Sequence, residues 1–180
     1  MKRNSQRGFT LIELLIAVVV FFFGIILVAE LVPKAISVNL DSRMDTTSTV
    51  VGQRLLDMMV NAGVNTPNLV VNPAVMNYPC GQTTTCQLGA NVNDVPQGAT
   101  LTGTGVVDFA AAQVANYSMN YVDPNDPTGA TFDVRWNVTT SIRNIGVLPN
   151  VVVSKRFIVG VRRTDRATSS SVTLTAWVSR

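Results

Sequence analysis

The segment from residue 8 to residue 29 decides the fold, and it reads GFTLIELLIAVVVFFFGIILVA. Glu13 is its only charged residue, and the eight residues that end at Gly8 include three bases, Lys2, Arg3 and Arg7. An α-helix rises about 1.5 Å per residue, so the apolar stretch from Phe9 to Ala29 is long enough to cross a bilayer. The bases before it predict a cytoplasmic N-terminus, with the rest of the chain on the other side of the membrane.

Charge and composition exclude several classes of function. The 180 residues contain 14 Lys and Arg against 11 Asp and Glu, and no His. Because three of the bases precede the apolar segment, the remaining bases and acids balance, and no net positive field attracts nucleic acid. The lack of His removes the commonest general base and metal ligand. We therefore expect no catalytic residue, no metal and no cofactor. A hydrolase would have to use carboxylates such as Asp94, Asp108 and Asp133, and their spacing does not indicate a catalytic site.

Helical periodicity continues beyond the apolar segment. Pro33 should kink or end a helix. After it, apolar residues recur on one helical face, and they are Leu40, Met44, Val51, Leu55, Met58 and Ala62. Gly63 and Pro67 end this pattern. We predict one helix from about Phe9 to about Ala62, membrane-spanning in its first half and amphipathic in its second.

The remainder of the chain predicts an antiparallel sheet. Residues 64–112 are rich in Asn, Thr, Gly and Pro, which favours loops with short irregular strands. Apolar and polar residues alternate over 115–121 and 132–138, and further strands are predicted over 151–163 and 172–178. Short connections favour antiparallel pairing. The expected fold class is α+β, with the apolar stripe of the helix on one face of the sheet.

The segment GFTLIELLIA at residues 8–17 resembles the class III signal of type IV prepilins and type II secretion pseudopilins. The resemblance implies that a membrane peptidase cuts after Gly8 and methylates the new N-terminal residue, Phe9. Glu13 matches the family's glutamate five residues into the mature chain. An ordinary secretory signal peptide fits less well, because its apolar region is shorter and ends in a small-x-small cleavage site.

The resemblance also implies a pilin-like domain organisation. Residues 1–8 would be the leader that is removed, and residues 9–31 the transmembrane and assembly helix. Residues 32–63 would continue as an amphipathic helix into a periplasmic or extracellular globular β domain at 64–180. The protein would be a single-pass protein of the bacterial inner membrane, with its N-terminus in the cytoplasm, before it joins a pilus or pseudopilus.

The function implied by the resemblance is that of a structural subunit, most similar to a minor pilin of the pilus-modification type. The strand Arg135-Trp136-Asn137-Val138 carries the second, weaker part of this likeness. The implied partners are other pilin subunits, contacted through the N-terminal helix in a filament that can be heteromeric, and the prepilin peptidase/methyltransferase. A type II secretion pseudopilin and a non-polymerising membrane-tethered binding domain remain the alternatives.

Glu13 needs a partner, because a carboxylate in a spanning helix costs about 2.5 to 3.5 kcal/mol on insertion scales. Cleavage after Gly8 would create one, since the α-amino group of Phe9 has a reference pKa near 8 and stays charged after methylation. The ammonium of one subunit would then neutralise Glu13 of another and fix the register of each added subunit. A local capping box of Thr10 and Glu13 is the competing interpretation.

Four further features of the sequence carry predictions. Cys80 and Cys86 lie beyond the membrane in the predicted topology, where an oxidising space favours a disulfide between them. The segment DPNDPTG at 123–129 departs from the EF-hand pattern, which predicts a turn rather than a calcium site. Trp136 is expected in the core. A solvated sheet edge protected by charge is expected from the basic residues Lys155, Arg156, Arg162, Arg163 and Arg166.

Overall fold

The computed structural model describes residues 10–70, 80, 85–90, 94–122, 129–143, 151–165 and 170–180. One helix, α1, spans Leu11–Asn61, and it continues through Pro33, which therefore does not end it. Within these ranges seven strands follow the helix: β1 (Asn68–Val70), β2 (Thr85–Gln87), β3 (Gln97–Gly98), β4 (Ser118–Val122), β5 (Thr131–Arg143), β6 (Val151–Arg163) and β7 (Ser171–Ser179). The chain divides into two compact units between Arg43 and Met44.

The first unit contains the apolar part of α1. Its large apolar side chains are exposed, from Leu11 at 83% to Leu40 at 38%. This part of the helix is long and apolar enough to cross a membrane. A continuous apolar surface of this extent needs lipid or other apolar helices around it.

The second unit is built on an antiparallel sheet. Its strand order is β3-β5-β6-β7, and β4 pairs with β5. The long central pair runs from Phe132 opposite Arg163 to Arg143 opposite Val151, with a bulge after Ser141. A separate two-stranded sheet joins β1 to β2. The α+β class and the antiparallel sheet that the sequence predicts are confirmed.

The C-terminal end of α1 packs on one face of this sheet. Leu55 is fully buried, and it shares the core cluster with Trp136, whose Nε1 donates to the carbonyl of Gln87 at 2.9 Å. The predicted core position of Trp136 is therefore confirmed. A Cβ at Gly52 would lie 2.9 Å from Leu174 Cδ1, so the missing side chain lets β7 approach the helix closely.

The predicted apolar stripe is only partly right. Val51 and Leu55 are buried, but the next buried residue is Met59, whereas Met58 is only half-buried. The reason is geometric, because steps of four residues keep these side chains over the sheet, and Met58 lies to one side of that line. Leu40 is exposed and does not contribute to the core.

The opposite face of the sheet is also covered, which strand alternation did not predict. The segment from residue 98 to residue 114 crosses it, and Ala99, Val107 and Ile158 form a second apolar cluster there. A Cβ at Gly160 would lie 2.6 Å from Cβ of Val107, so this close approach requires glycine. Asn137, predicted on a solvated face, is buried and donates from its amide to the carbonyl of Ala99 at 2.9 Å.

An ion-pair network lies under the same covering segment. Asp133 is buried and accepts from the Arg135 guanidinium, with Nη2 at 2.8 Å from Oδ2, while Arg162 Nη2 lies 3.6 Å from that oxygen. Both guanidinium groups lie over the Phe109 ring, at 5.2 Å and 4.9 Å from its centroid. Gln113 Nε2 also donates to Asp133, at 2.9 Å. The charges are therefore paired rather than solvated, which offsets their desolvation.

The predicted charge-protected edge is wrong, because β6 lies inside the sheet between β5 and β7. Arg162 belongs to the ion-pair network just described, and Arg163 is buried and pairs with Asp165. Arg166 lies outside the described residues. The basic residues of β6 thus serve packing more than they serve a solvated surface.

Lys155 is the basic residue of β6 that contributes most clearly to packing, because its side chain is fully buried. Nζ donates to the carbonyls of Thr66 at 2.9 Å, Leu88 at 3.0 Å and Gly89 at 3.4 Å. Burial lowers the pKa of Lys155. One ammonium group therefore holds two loop segments, after α1 and after β2, against the sheet.

We predict that Lys155→Met lowers the free energy of unfolding by about 1 to 3 kcal/mol, because it leaves buried carbonyls without a donor. Arg156→Met is the matched control, since Arg156 is the next residue on β6 and its partly exposed side chain lies on the other face. Urea unfolding of the full chain in detergent measures both changes. Equal losses in the two variants would contradict the role given to Lys155.

Candidate assembly site on the N-terminal helix

The start of α1 is fixed by a local cap. The carbonyl of Thr10 accepts hydrogen bonds from the amides of Glu13 at 3.1 Å and Leu14 at 3.2 Å. Thr10 Oγ1 accepts from the same Glu13 amide at 3.4 Å. This contact is one half of the capping box predicted for Thr10 and Glu13, so local capping is part of the role of this segment.

Glu13 lies in the first turn of α1, where the helix dipole favours a negative charge. Its side chain is exposed, and none of the ion pairs among the described residues includes it. Gly8 and Phe9 lie outside the described residues, so the pairing of Phe9 with Glu13 stays a prediction. The Glu13 carboxylate is accessible to a group from another molecule.

An open apolar groove runs along the same helix, and its lining residues are Phe21, Gly24, Ile25, Val28, Ala29 and Val32. Gly24 is the smallest of these residues, and a Cβ at Gly24 would point into open space. A groove with a small residue in its lining accepts the side-chain ridge of a neighbouring helix. The sequence indicated this groove only through Gly24, a single small residue among large apolar ones.

The structure joins Cys80 to Cys86 in a disulfide, with Cα atoms 5.2 Å apart. Both side chains are fully buried and belong to the main core cluster. Cys86 lies in β2, opposite Leu69 of β1. The bridge therefore ties the small two-stranded sheet into the core, rather than only stiffening a surface loop.

The carboxylates considered for hydrolysis have separate structural partners. Asp94 Oδ1 accepts from Ser141 Oγ at 2.9 Å, and Asp108 Oδ1 accepts from the amide of Ala110 at 2.8 Å. Asp133 is held in the ion-pair network. Within the described ranges, no group of three His, Cys, Asp or Glu side chains has the arrangement of a metal site.

The segment considered for calcium, 123–128, lies outside the described residues. The strands on either side of it, β4 and β5, are antiparallel, with Val122 opposite Thr131. This pairing fits the turn that the sequence predicts between them.

Comparison with known families adds one finding. The family described as the prokaryotic N-terminal methylation motif matches residues 3–29, which include the Gly8–Phe9 junction, Glu13 and the whole apolar segment up to Ala29. Neither the curated proteins nor the solved structures contain a significant match to the chain. A long apolar helix followed by an antiparallel sheet is a pilin-like arrangement, and the motif supports a type IV pilin or pseudopilin. Proteins with this motif are structural subunits rather than enzymes.

We predict that replacing both cysteines by serine lowers the free energy of unfolding by about 2 kcal/mol, the loop-closure value for a bridge across so few residues. Intact mass before and after alkylation in denaturant, without reductant, shows whether the purified protein holds the bridge. Thermal unfolding of the full chain measures its contribution to stability. Two alkylated cysteines in the denatured, unreduced protein would contradict the pairing.

Proposed function

We propose that the chain is a minor pilin of a type IV pilus. The prepilin peptidase would cleave it after Gly8, methylate it at Phe9 and release it for assembly through its N-terminal helix. The observation that supports this most is the methylation motif at residues 3–29, on a helix whose apolar side chains are exposed. Before assembly the helix would span the inner membrane with its N-terminus in the cytoplasm, as the basic leader favours.

Processing would switch the helix from a lipid environment to a protein one. The uncut leader keeps three bases at the cytoplasmic side, and their desolvation opposes entry into an apolar helix bundle. Cleavage removes them and leaves the single ammonium group of Phe9. That group is a counter-ion for Glu13, which has no ion pair among the described residues. A subunit in the correct register therefore buries a neutral pair, and a subunit in a wrong register buries an unpaired carboxylate.

We predict that Glu13→Gln lowers the recovery of the protein in sheared pili by about tenfold or more. The reason is that the Phe9 ammonium group would be buried in an apolar core without the carboxylate that neutralises it. Leader removal should remain unchanged, because the peptidase acts at Gly8. Immunoblots of the sheared pili and of the membranes measure both effects.

Glu30→Gln is the matched control for that experiment. Glu30 lies on the same helix, exposed, with Lys34 one turn further on. It should leave recovery near the wild-type value. Wild-type recovery of Glu13→Gln, or equal losses in the two variants, would contradict a specific role for Glu13.

The groove at Gly24 generates a second assembly prediction. Gly24→Leu should reduce recovery in pili several-fold by filling the groove, with membrane insertion intact because the segment remains apolar. Val20→Leu is the control, since Val20 is an exposed residue of the same helix outside the groove. Equal recovery of both variants would show that the groove is not a packing site.

The same fractionation separates the alternatives. A pseudopilin of type II secretion would be needed for the export of folded proteins and would not appear in surface pili. A tethered binding domain would appear in neither assembly, even after correct insertion in the membrane.

A further inference from the structure

One edge of the main sheet is long and unprotected. It is formed by β7, which reads SVTLTAWVS and contains no charged residue, Pro or Gly. β7 pairs with β6 on one side, and no strand of the described part of the chain pairs with its other side. Natural sheets usually protect an edge of this length with charge, Pro or a bulge. The opposite edge is divided between β4 and β3, which have five and two residues.

The hydrogen bonds show which backbone groups of β7 point away from β6. Along a strand, the amide and carbonyl of one residue point to one side and those of the next residue to the other. The amide of Arg180 donates to the carbonyl of Val153 at 3.0 Å, so Arg180 and the even-numbered residues of β7 point towards β6. The amides and carbonyls of Thr173, Thr175 and Trp177 therefore point away from the sheet.

The side chains beside this edge are of the types that are common in protein interfaces. Trp177 is 65% exposed, in contrast to the fully buried Trp136. The Arg156 guanidinium lies 5.4 Å from the centroid of the Trp177 ring. The Arg156 side chain is half-buried, and none of the ion pairs among the described residues includes it. Trp and Arg are enriched at the centres of protein interfaces, and a partly exposed guanidinium without an ion-pair partner suits a carboxylate.

We propose that β7 accepts an extended segment of a different protein as an additional antiparallel or parallel strand. The outward backbone groups of Thr173, Thr175 and Trp177 bond to that segment, Trp177 packs on it, and a carboxylate side chain of the segment pairs with Arg156. A second copy of β7 contains no acidic residue and would leave Arg156 unpaired, which favours a different chain. The proposal depends only on the second unit, so its failure would leave the proposed function unchanged.

The test is photocrosslinking in the cells that make the protein, with the full chain in its own membrane. Benzoylphenylalanine replaces Ser179 at the end of β7, and the control probe replaces Val70, an exposed residue of β1. The expected result is an adduct from the Ser179 probe alone. Peptide mapping should place the link in a partner segment that alternates apolar and polar residues and contains Asp or Glu.

Two variants at one position separate strand addition from side-chain contact. Thr175→Pro removes an outward amide and should lower the adduct by about fivefold to tenfold, the value of a lost backbone hydrogen bond and its unpaired acceptor. Thr175→Val keeps the amide and should leave the adduct unchanged. Proline is tolerated on edge strands, and a thermal unfolding curve checks that Thr175→Pro keeps the fold.

If Thr175→Pro does not fold, Trp177→Ala decides, because the exposed side chain can be removed without a cavity in the core. The proposal expects this variant to lose most of the adduct. It is overturned by the absence of an adduct at Ser179, by an adduct with a second copy of this chain, or by an adduct that survives both variants in folded protein.

Discussion

The apolar surface that α1 exposes from Leu11 to Leu40 is the constraint on which the other features depend. Burying one large aliphatic or aromatic side chain is worth about 1.5 to 3 kcal/mol, so this helix cannot remain in water. In the proposed function, lipid covers this surface before assembly, and a bundle of similar helices covers it afterwards. In the sequence, the basic leader, the proposed cleavage junction and Glu13 all come at the N-terminal end of this segment.

The second unit differs from the first, because its own residues cover the apolar surface of its sheet. Its sheet is covered on both faces, by α1 through Val51, Leu55 and Met59 and by the segment 98–114. Lys155 and the Asp133 network fasten loops to the sheet by charged hydrogen bonds inside the unit. The unit therefore closes its own core and leaves mainly the β7 edge unsatisfied among the described elements.

The sequence predicted the parts of this fold that rest on long periodic patterns. The helix was expected from about Phe9 to about Ala62 and spans Leu11–Asn61, and the three long strands lie close to their expected positions. The burial of Asn137 and Lys155 was not predictable, because it depends on loops without periodicity that fold over the sheet. At the candidate assembly site, the sequence alone shows Glu13 as a charge in an apolar segment. The groove at Gly24 could not be predicted in the same way, because it depends on the positions of the surrounding side chains.

The N-terminal residue of the membrane-bound protein shows whether the chain is processed as a prepilin. The full chain is expressed with and without its prepilin peptidase, and the product is analysed by intact mass and N-terminal sequencing. We expect a chain that begins at N-methylated Phe9 with the peptidase, and a chain that retains residues 1–8 without it. Retention of residues 1–8 in the presence of the active cognate peptidase would show that the chain is not a pilin subunit.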